Sequence, residues 1–152
     1  MALVQRDHIL RLIERIAAAI ARAMKRKSDG DLVGARQEVQ QATMELLGPA
    51  AAMALLVDSR TAANLVGDAH RIRLWAGLLS TDRDLLQAMG RDAEAVNTDR
   101  RIVELLLEGW KREPEWDDAT HAIFAAARAR GAGAALDPGF TAALRAWDDA
   151  RR

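Results

Sequence analysis

The chain contains no cysteine and no tyrosine, and aromatic residues make up only 4% of its 152 positions. The absence of cysteine excludes disulfides, thiolate metal sites and cysteine nucleophiles. Half of the residues are hydrophobic, so the core is expected to consist of aliphatic side chains, with alanine prominent among them. We find no strand-like alternation of polar and apolar residues. These features predict an all-α protein.

The sequence also lacks a net charge and a long apolar run. Basic and acidic residues number 22 each, so no overall field draws the chain towards nucleic acid, which we do not expect as a partner. No stretch of about 18 uncharged apolar residues is present, and we therefore expect no membrane span. Charges at Arg6, Asp7 and Arg11 interrupt any signal-peptide core. The default expectation is a cytoplasmic protein.

Apolar residues recur at three- and four-residue steps through most of the chain, which is the spacing of amphipathic helices. The longest run extends from Leu3 to about Lys27, and Gly48 with Pro49 ends the next. Further runs predict helices over 50–57, 69–89, 91–111, 119–130 and from about 138 onward, and residues 59–66 are either a short helix or an ordered loop. We predict about six or seven helices, and the short connections make neighbours roughly antiparallel.

The helices divide into two hairpins and a C-terminal part. The hairpins are expected over about 3–48 and 69–111, within one helical domain of residues 1–112. Residues 113–152 are expected to cap that domain with shorter helices, joined by a linker at Gly131–Gly133. Asp137 is predicted to be the N-cap of the last helix, because proline follows it.

A turn followed by a regular helix begins at Gly30, and its residue types follow a recognisable order. The order comprises Gly30, Asp31, Leu32, Ala35, Val39 and Ala42. It resembles the second helix of a tetratricopeptide repeat, in which small alanines let two helices approach closely. A weaker copy begins at Gly90, with Asp99 at a large apolar position and Ile102 in place of an alanine. The alternative is a generic pair of helical hairpins with similar turns.

The resemblance implies an irregular, TPR-like bundle that acts as a protein-interaction or assembly module. In such repeats the first helix of each hairpin lines a concave surface. Transferred residue by residue, that surface would contain Ile20, Met24, Lys27, Ser80, Asp84 and Gln87. The alternatives are a self-associating structural bundle and, less favoured, a helical domain that binds a small molecule.

Candidate catalytic and metal-binding residues are scarce. His8, His70 and His121 lie too far apart for a helical metal motif, and no Glu-x-x-His pair occurs. Serine and threonine lack the context of a nucleophile elbow or a phosphate loop. We therefore expect no enzyme activity, no metal and no cofactor.

Two features have more than one interpretation. The first 27 residues hold seven basic and two acidic side chains, which fits either a membrane-surface helix or, as we favour, a core helix with a solvated face. Trp110 and Trp116 bracket the turn that leads to the C-terminal part. They are either core anchors, which we favour, or exposed interface residues.

Overall fold

The computed structural model describes residues 2–131 and 135–152, with side chains from Arg6 onward. Residues 132–134, which hold part of the predicted Gly131–Gly133 linker, lie outside this description. The described residues form seven helices of at least eight residues: α1 Ala2–Ser28, α2 Leu32–Leu47, α3 Ser59–Val66, α4 Ala69–Ala88, α5 Asp92–Arg112, α6 Asp118–Arg130 and α7 Phe140–Ala150. They pack largely as antiparallel neighbours and contain no strand, which confirms the all-α class.

The two hairpins, α1–α2 and α4–α5, turn in the same way. After α1, the N–H groups of Gly30 and Asp31 donate to carbonyl oxygens of the last helical turn, at 3.0 and 2.8 Å. After α4, those of Gly90 and Arg91 make the equivalent bonds, at 3.0 and 2.9 Å. Both glycines have positive φ angles, of +84° and +78°. This is the left-handed glycine turn that satisfies the last carbonyls of a helix.

Small residues hold the first hairpin together. The side chains between α1 and α2 are nearly inaccessible to solvent and include Ala19, Ala23, Ala35, Val39 and Ala42. Alanine at these positions lets the two helix backbones approach closely. The second hairpin instead packs larger residues, among them Ile102 and Leu106, against α4 and α6.

The second hairpin also buries a charge. Asp99 of α5, at the position where the repeat pattern has a large apolar residue, is completely buried. Its carboxylate accepts a hydrogen bond from Arg83 Nε at 3.0 Å and lies 3.3 Å from Arg130 Nη2. A buried carboxylate is tolerated only when such partners offset its lost hydration. The departure from the pattern is therefore a polar joint between α4, α5 and α6.

A second buried carboxylate, Glu104, joins α5 to two other segments. It accepts hydrogen bonds from the Ser59 hydroxyl of α3 and from the backbone N–H of Asp137, each at 2.7 Å. Arg100 of α5 also pairs with Glu104, with Nη1 and Oε1 2.7 Å apart. Asp137 was predicted to be the N-cap of α7, and that prediction was wrong, because the N-cap is Gly139. The helix begins at Phe140, after Gly139 with a φ angle of +97°.

The segment between α2 and α3 is less regular than predicted. A 3-10 turn over Gly48–Ala50 leads into a single helical turn, Ala51–Ala54, instead of a helix over 50–57. Arg101 of α5 fixes this segment, because its guanidinium donates to the carbonyl oxygens of Ala54 at 2.7 Å and Val57 at 2.9 Å. Burial lowers the pKa of Arg101 from its ordinary value.

Aromatic residues dock the C-terminal helices. Trp116 packs against Phe124 of α6 and Trp147 of α7, with ring centroids 5.1 and 5.7 Å apart. Trp116 is half-buried and acts as a core anchor, whereas Trp110, also half-buried, lies outside this aromatic cluster. None of the helices in the described part of the chain is both long and apolar enough to cross a membrane.

Candidate partner-binding groove

Helix α1 has two apolar faces. One face packs against α2 through Ile16, Ala19 and Ala23, which are buried. The other face runs along most of the helix through Leu10, Ile13, Ala17, Ile20 and Met24, all of which are exposed except the half-buried Ile20. These five residues follow one another at steps of three or four, so they lie on one side of the helix. We call this row the α1 stripe.

Part of the α1 stripe forms one wall of a groove. The groove has a volume of about 260 Å³ and lies between α1, α4 and α6. Its apolar lining consists of Ile13, Ile16, Ala17, Ile20, Leu74, Gly77, Ala119 and Ile123. Mostly hydrophobic lining with a few polar groups at the edge is typical of binding sites.

The polar edge of the groove is organised by the chain between α5 and α6. Arg73 of α4 donates to the carbonyl oxygen of Glu113 at 2.9 Å, and His70 Nε2 lies 3.4 Å from the Glu113 carboxylate. Asp117 is the N-cap of α6, and hydrogen bonds from the Thr120 hydroxyl and N–H lower its pKa from the usual value. Glu113 thus contacts both His70 and Arg73 at this end of the groove, and Thr120 contacts Asp117.

Both ends of the α1 stripe are positively charged. Two of the seven cations of α1 are neutralised across the hairpin, since Arg22 and Arg26 both pair with Glu38. Among the described ion pairs, none involves the other five, which are Arg6, Arg11, Arg15, Lys25 and Lys27. By helical spacing, Arg6 lies one turn before Leu10 and Lys27 about one turn after Met24. A cation therefore stands beyond each end of the stripe.

The six residues predicted from the repeat pattern are divided between the two hairpins. Of these, Ile20 lines the groove and is half-buried. Met24 and Lys27 lie about one and two helical turns further along α1, and Met24 is 47% exposed. They continue the same side of the helix towards the Gly30 turn.

The three predicted residues of α4 lie towards the Gly90 turn. By spacing, Ser80, Asp84 and Gln87 follow Gly77 along one side of α4. The structure brings Asp84 and Gln87 together, since both side chains accept hydrogen bonds from Arg83. Ser80 and Asp84 are half-buried and Gln87 is exposed. Binding at these six positions stays a prediction.

Sequence reasoning missed the larger part of the groove. Ile13 and Ala17 were recoverable, because they precede Ile20 at the same helical steps. Ile123 was not, since the α6 wall is brought to α1 only by the packing of the C-terminal part. A third helix was absent from the predicted surface for this reason.

Neither a metal cluster nor a known relative identifies what this groove does. Among the described residues, no group of three or more His, Asp or Glu side chains could hold a metal ion. Comparisons of the chain with family models, with curated proteins and with solved structures found no match. The interpretation of the groove therefore depends on its geometry and charge.

Proposed function

We propose that this chain is a non-catalytic, TPR-like protein-interaction module whose groove between α1, α4 and α6 binds an amphipathic helix of a partner protein. The observation that carries the proposal is the second, accessible apolar face of α1. Leu10, Ile13 and Met24 lie on one side of this helix, and each is between 42% and 48% exposed. Contiguous apolar surface of this kind marks interaction sites.

The dimensions of the α1 stripe fit a helix of moderate length. From Leu10 to Met24 the stripe spans about 21 Å, at about 1.5 Å per residue. A partner helix of roughly 14 residues would cover it, with apolar side chains at steps of three and four. The groove covers the part of the stripe from Ile13 to Ile20, and α4 and α6 supply its opposite wall.

The charge of α1 identifies the kind of partner. The stripe is bounded by Arg6 and Lys27, neither of which forms an ion pair with another described residue. A partner helix with acidic residues near its ends is therefore favoured over a basic one. The same charge opposes the pairing of α1 with a second copy of itself.

The test uses three synthetic probes and two matched variants. The probes are a fluorescein-labelled acidic amphipathic helix of about 18 residues, a scrambled peptide of the same composition, and a version with lysine in place of glutamate. Ile13→Asp changes the groove, whereas Leu65→Asp changes a side chain of matching exposure on α3, the two being 42% and 43% exposed.

In fluorescence anisotropy titrations, the acidic helix should bind at least tenfold more tightly than the other two peptides. Ile13→Asp should weaken that binding more than tenfold, which corresponds to about 1.4 kcal/mol. Leu65→Asp should leave it unchanged. Equal affinity for the acidic and scrambled peptides, or equal losses in both variants, would contradict the proposal.

A further inference from the structure

A second apolar surface lies between α2 and the segment that precedes α3. Four large apolar side chains are exposed there: Met44 by 49%, Met53 by 56%, Leu55 by 49% and Leu56 by 83%. Leu56 is the most exposed of the large hydrophobic residues in the described chain. We call these four residues the apolar turn patch.

Hydrogen bonds from α5 hold the apolar turn patch in place. Arg101 donates to the carbonyl oxygens of Ala54 and Val57, which flank Leu55 and Leu56. The same guanidinium lies 5.2 Å from the ring centroid of Trp75, a buried residue of α4. A segment with its carbonyls fixed on both sides presents Leu56 to solvent in a defined position. The exposure of Leu56 therefore follows from the way in which Arg101 fixes this segment.

A groove adjoins this patch. It lies between α2 and α4, has a volume of about 390 Å³, and is lined in part by Met44 and Leu55 themselves. The other apolar lining residues are Val39, Trp75, Leu78 and Leu79. Since about 150 Å³ suffices for a benzene ring, this groove has room for more than one large apolar side chain. Methionine at the rim adapts readily to the shape of an inserted group.

The surface is electrically neutral. The charged side chains that line the groove are Arg36 and Asp82, which form an ion pair with Nε and Oδ1 2.9 Å apart. The patch itself contributes only methionine and leucine. Two copies of this face can therefore meet without like-charge repulsion, in contrast to two copies of α1.

We propose that this face is a self-association surface, on which two copies of the chain meet around a two-fold axis. In an isologous interface, residue i of one copy contacts residue j of the other, and j contacts i. A face that carries both a protruding leucine and an apolar groove satisfies this condition with itself. The turn of each copy, with Leu56 and Met53, fills the α2–α4 groove of the other. This proposal is independent of the partner helix assigned to the α1 groove.

The first test is the mass in solution. Sedimentation equilibrium of the full chain should give a mass that rises with concentration from 16.6 kDa towards twice that value. Leu56→Asp should remain at the mass of one chain throughout, because a charge would be buried in the interface. Leu10→Asp, at a leucine of α1 that is 48% exposed, should behave like the wild type. A wild type that stays at the mass of one chain, or an effect of Leu10→Asp but not of Leu56→Asp, would overturn the proposal.

The second test is the geometry of the contact. Because the chain has no cysteine, single introduced thiols report without background. Chains with Leu56→Cys mixed with chains carrying Met44→Cys should be joined efficiently by a short bis-maleimide. The same Leu56→Cys chains mixed with Leu10→Cys chains should be joined poorly. Equal yields in the two mixtures would reject the two-fold arrangement, and circular dichroism of each variant confirms that it is folded.

Discussion

The two hairpins share a turn and differ in what they bury. Both reverse direction at a glycine with positive φ, Gly30 and Gly90, and both place an alanine five residues later. At the next equivalent position the first hairpin has Val39 in an apolar contact, and the second has Asp99 in a buried ion pair. At this position the first hairpin is held by apolar contacts, whereas the second depends on the charges of Arg83 from α4 and Arg130 from α6.

The difference explains how the C-terminal helices are attached. Arg130 of α6 reaches Asp99, and the backbone N–H of Asp137, before α7, reaches Glu104. Both acceptors are buried carboxylates of α5. Removal of either partner leaves an uncompensated charge, so the polar contacts favour one arrangement of α6 on α5 over its alternatives. A purely apolar face would permit more registers.

The largest expected effect comes from breaking the polar joint of the second hairpin. Asp99→Ala leaves the Arg83 guanidinium buried without its main partner, which should lower the free energy of unfolding by about 3 kcal/mol. The value is at the lower end of the usual range, because Arg83 keeps contacts with Asp84 and Gln87. Urea denaturation followed by circular dichroism measures the loss.

The matched control for this prediction replaces both Asp99 and Arg83 and leaves Arg130, whose side chain is 30% exposed, to be solvated by water. Asp99→Leu combined with Arg83→Met substitutes apolar groups for both charges and should recover most of the lost stability. In the first hairpin, Val39→Asp introduces a buried carboxylate without an arginine and should be at least as damaging as Asp99→Ala. A double variant as unstable as the single one would show that the charges themselves are not the cause.

The contrast also shows what a sequence can predict. Helix ends are local, and the glycine turns at Gly30 and Gly90 were recognisable from neighbouring residues. The burial of Asp99 was not, since its partner Arg130 is 31 residues away and is brought near only by packing. The neighbouring residues indicate only that a charged residue occupies an apolar position of the repeat pattern.

The candidate groove, too, could be predicted only where it depends on residues close together in the sequence. Ile20 could be placed on it from helical periodicity and from the resemblance at Gly30. Its third wall could not, because Asp117 and Ile123 reach α1 only through the docking of α6, in which Trp116 and Phe124 take part. A single-helix pattern carries no information on which distant helix will face it.

A smaller effect tests the feature that the hairpins have in common. Gly30→Ala and Gly90→Ala force alanine into a φ near +80°, although an added Cβ would meet no atom within 4 Å at either site. The cost is then conformational alone, and each variant should lose about 1 kcal/mol. Equal shifts of the urea midpoint are expected. If one variant loses more than twice as much as the other, the two turns are not equivalent.

The smallest effect concerns the residue after each glycine. Asp31 is the N-cap of α2 and accepts a hydrogen bond from the N–H of Gly34 at 2.8 Å, whereas Arg91 makes no side-chain cap for α5. Asp31→Ala should therefore reduce stability at pH 7 by less than the glycine variants do. Arg91→Ala should be nearly neutral, because its exposed ion pair with Glu94 contributes little.

The cap also predicts a pH dependence that the second hairpin lacks at this position. The N–H of Gly34, and next the Arg26 side chain, lower the pKa of Asp31 in the folded chain. A carboxylate with a lowered pKa stabilises the fold fully above its unfolded pKa of about 3.9, and that contribution disappears as the pH falls through the folded value. The difference in urea midpoint between wild type and Asp31→Ala should thus shrink from pH 7 to about pH 2.5. Asp31→Asn retains an acceptor that does not titrate, so it should keep its advantage over Asp31→Ala at both pH values. A gap between wild type and Asp31→Ala that is unchanged at low pH would mean that the ionised cap does not stabilise the first hairpin.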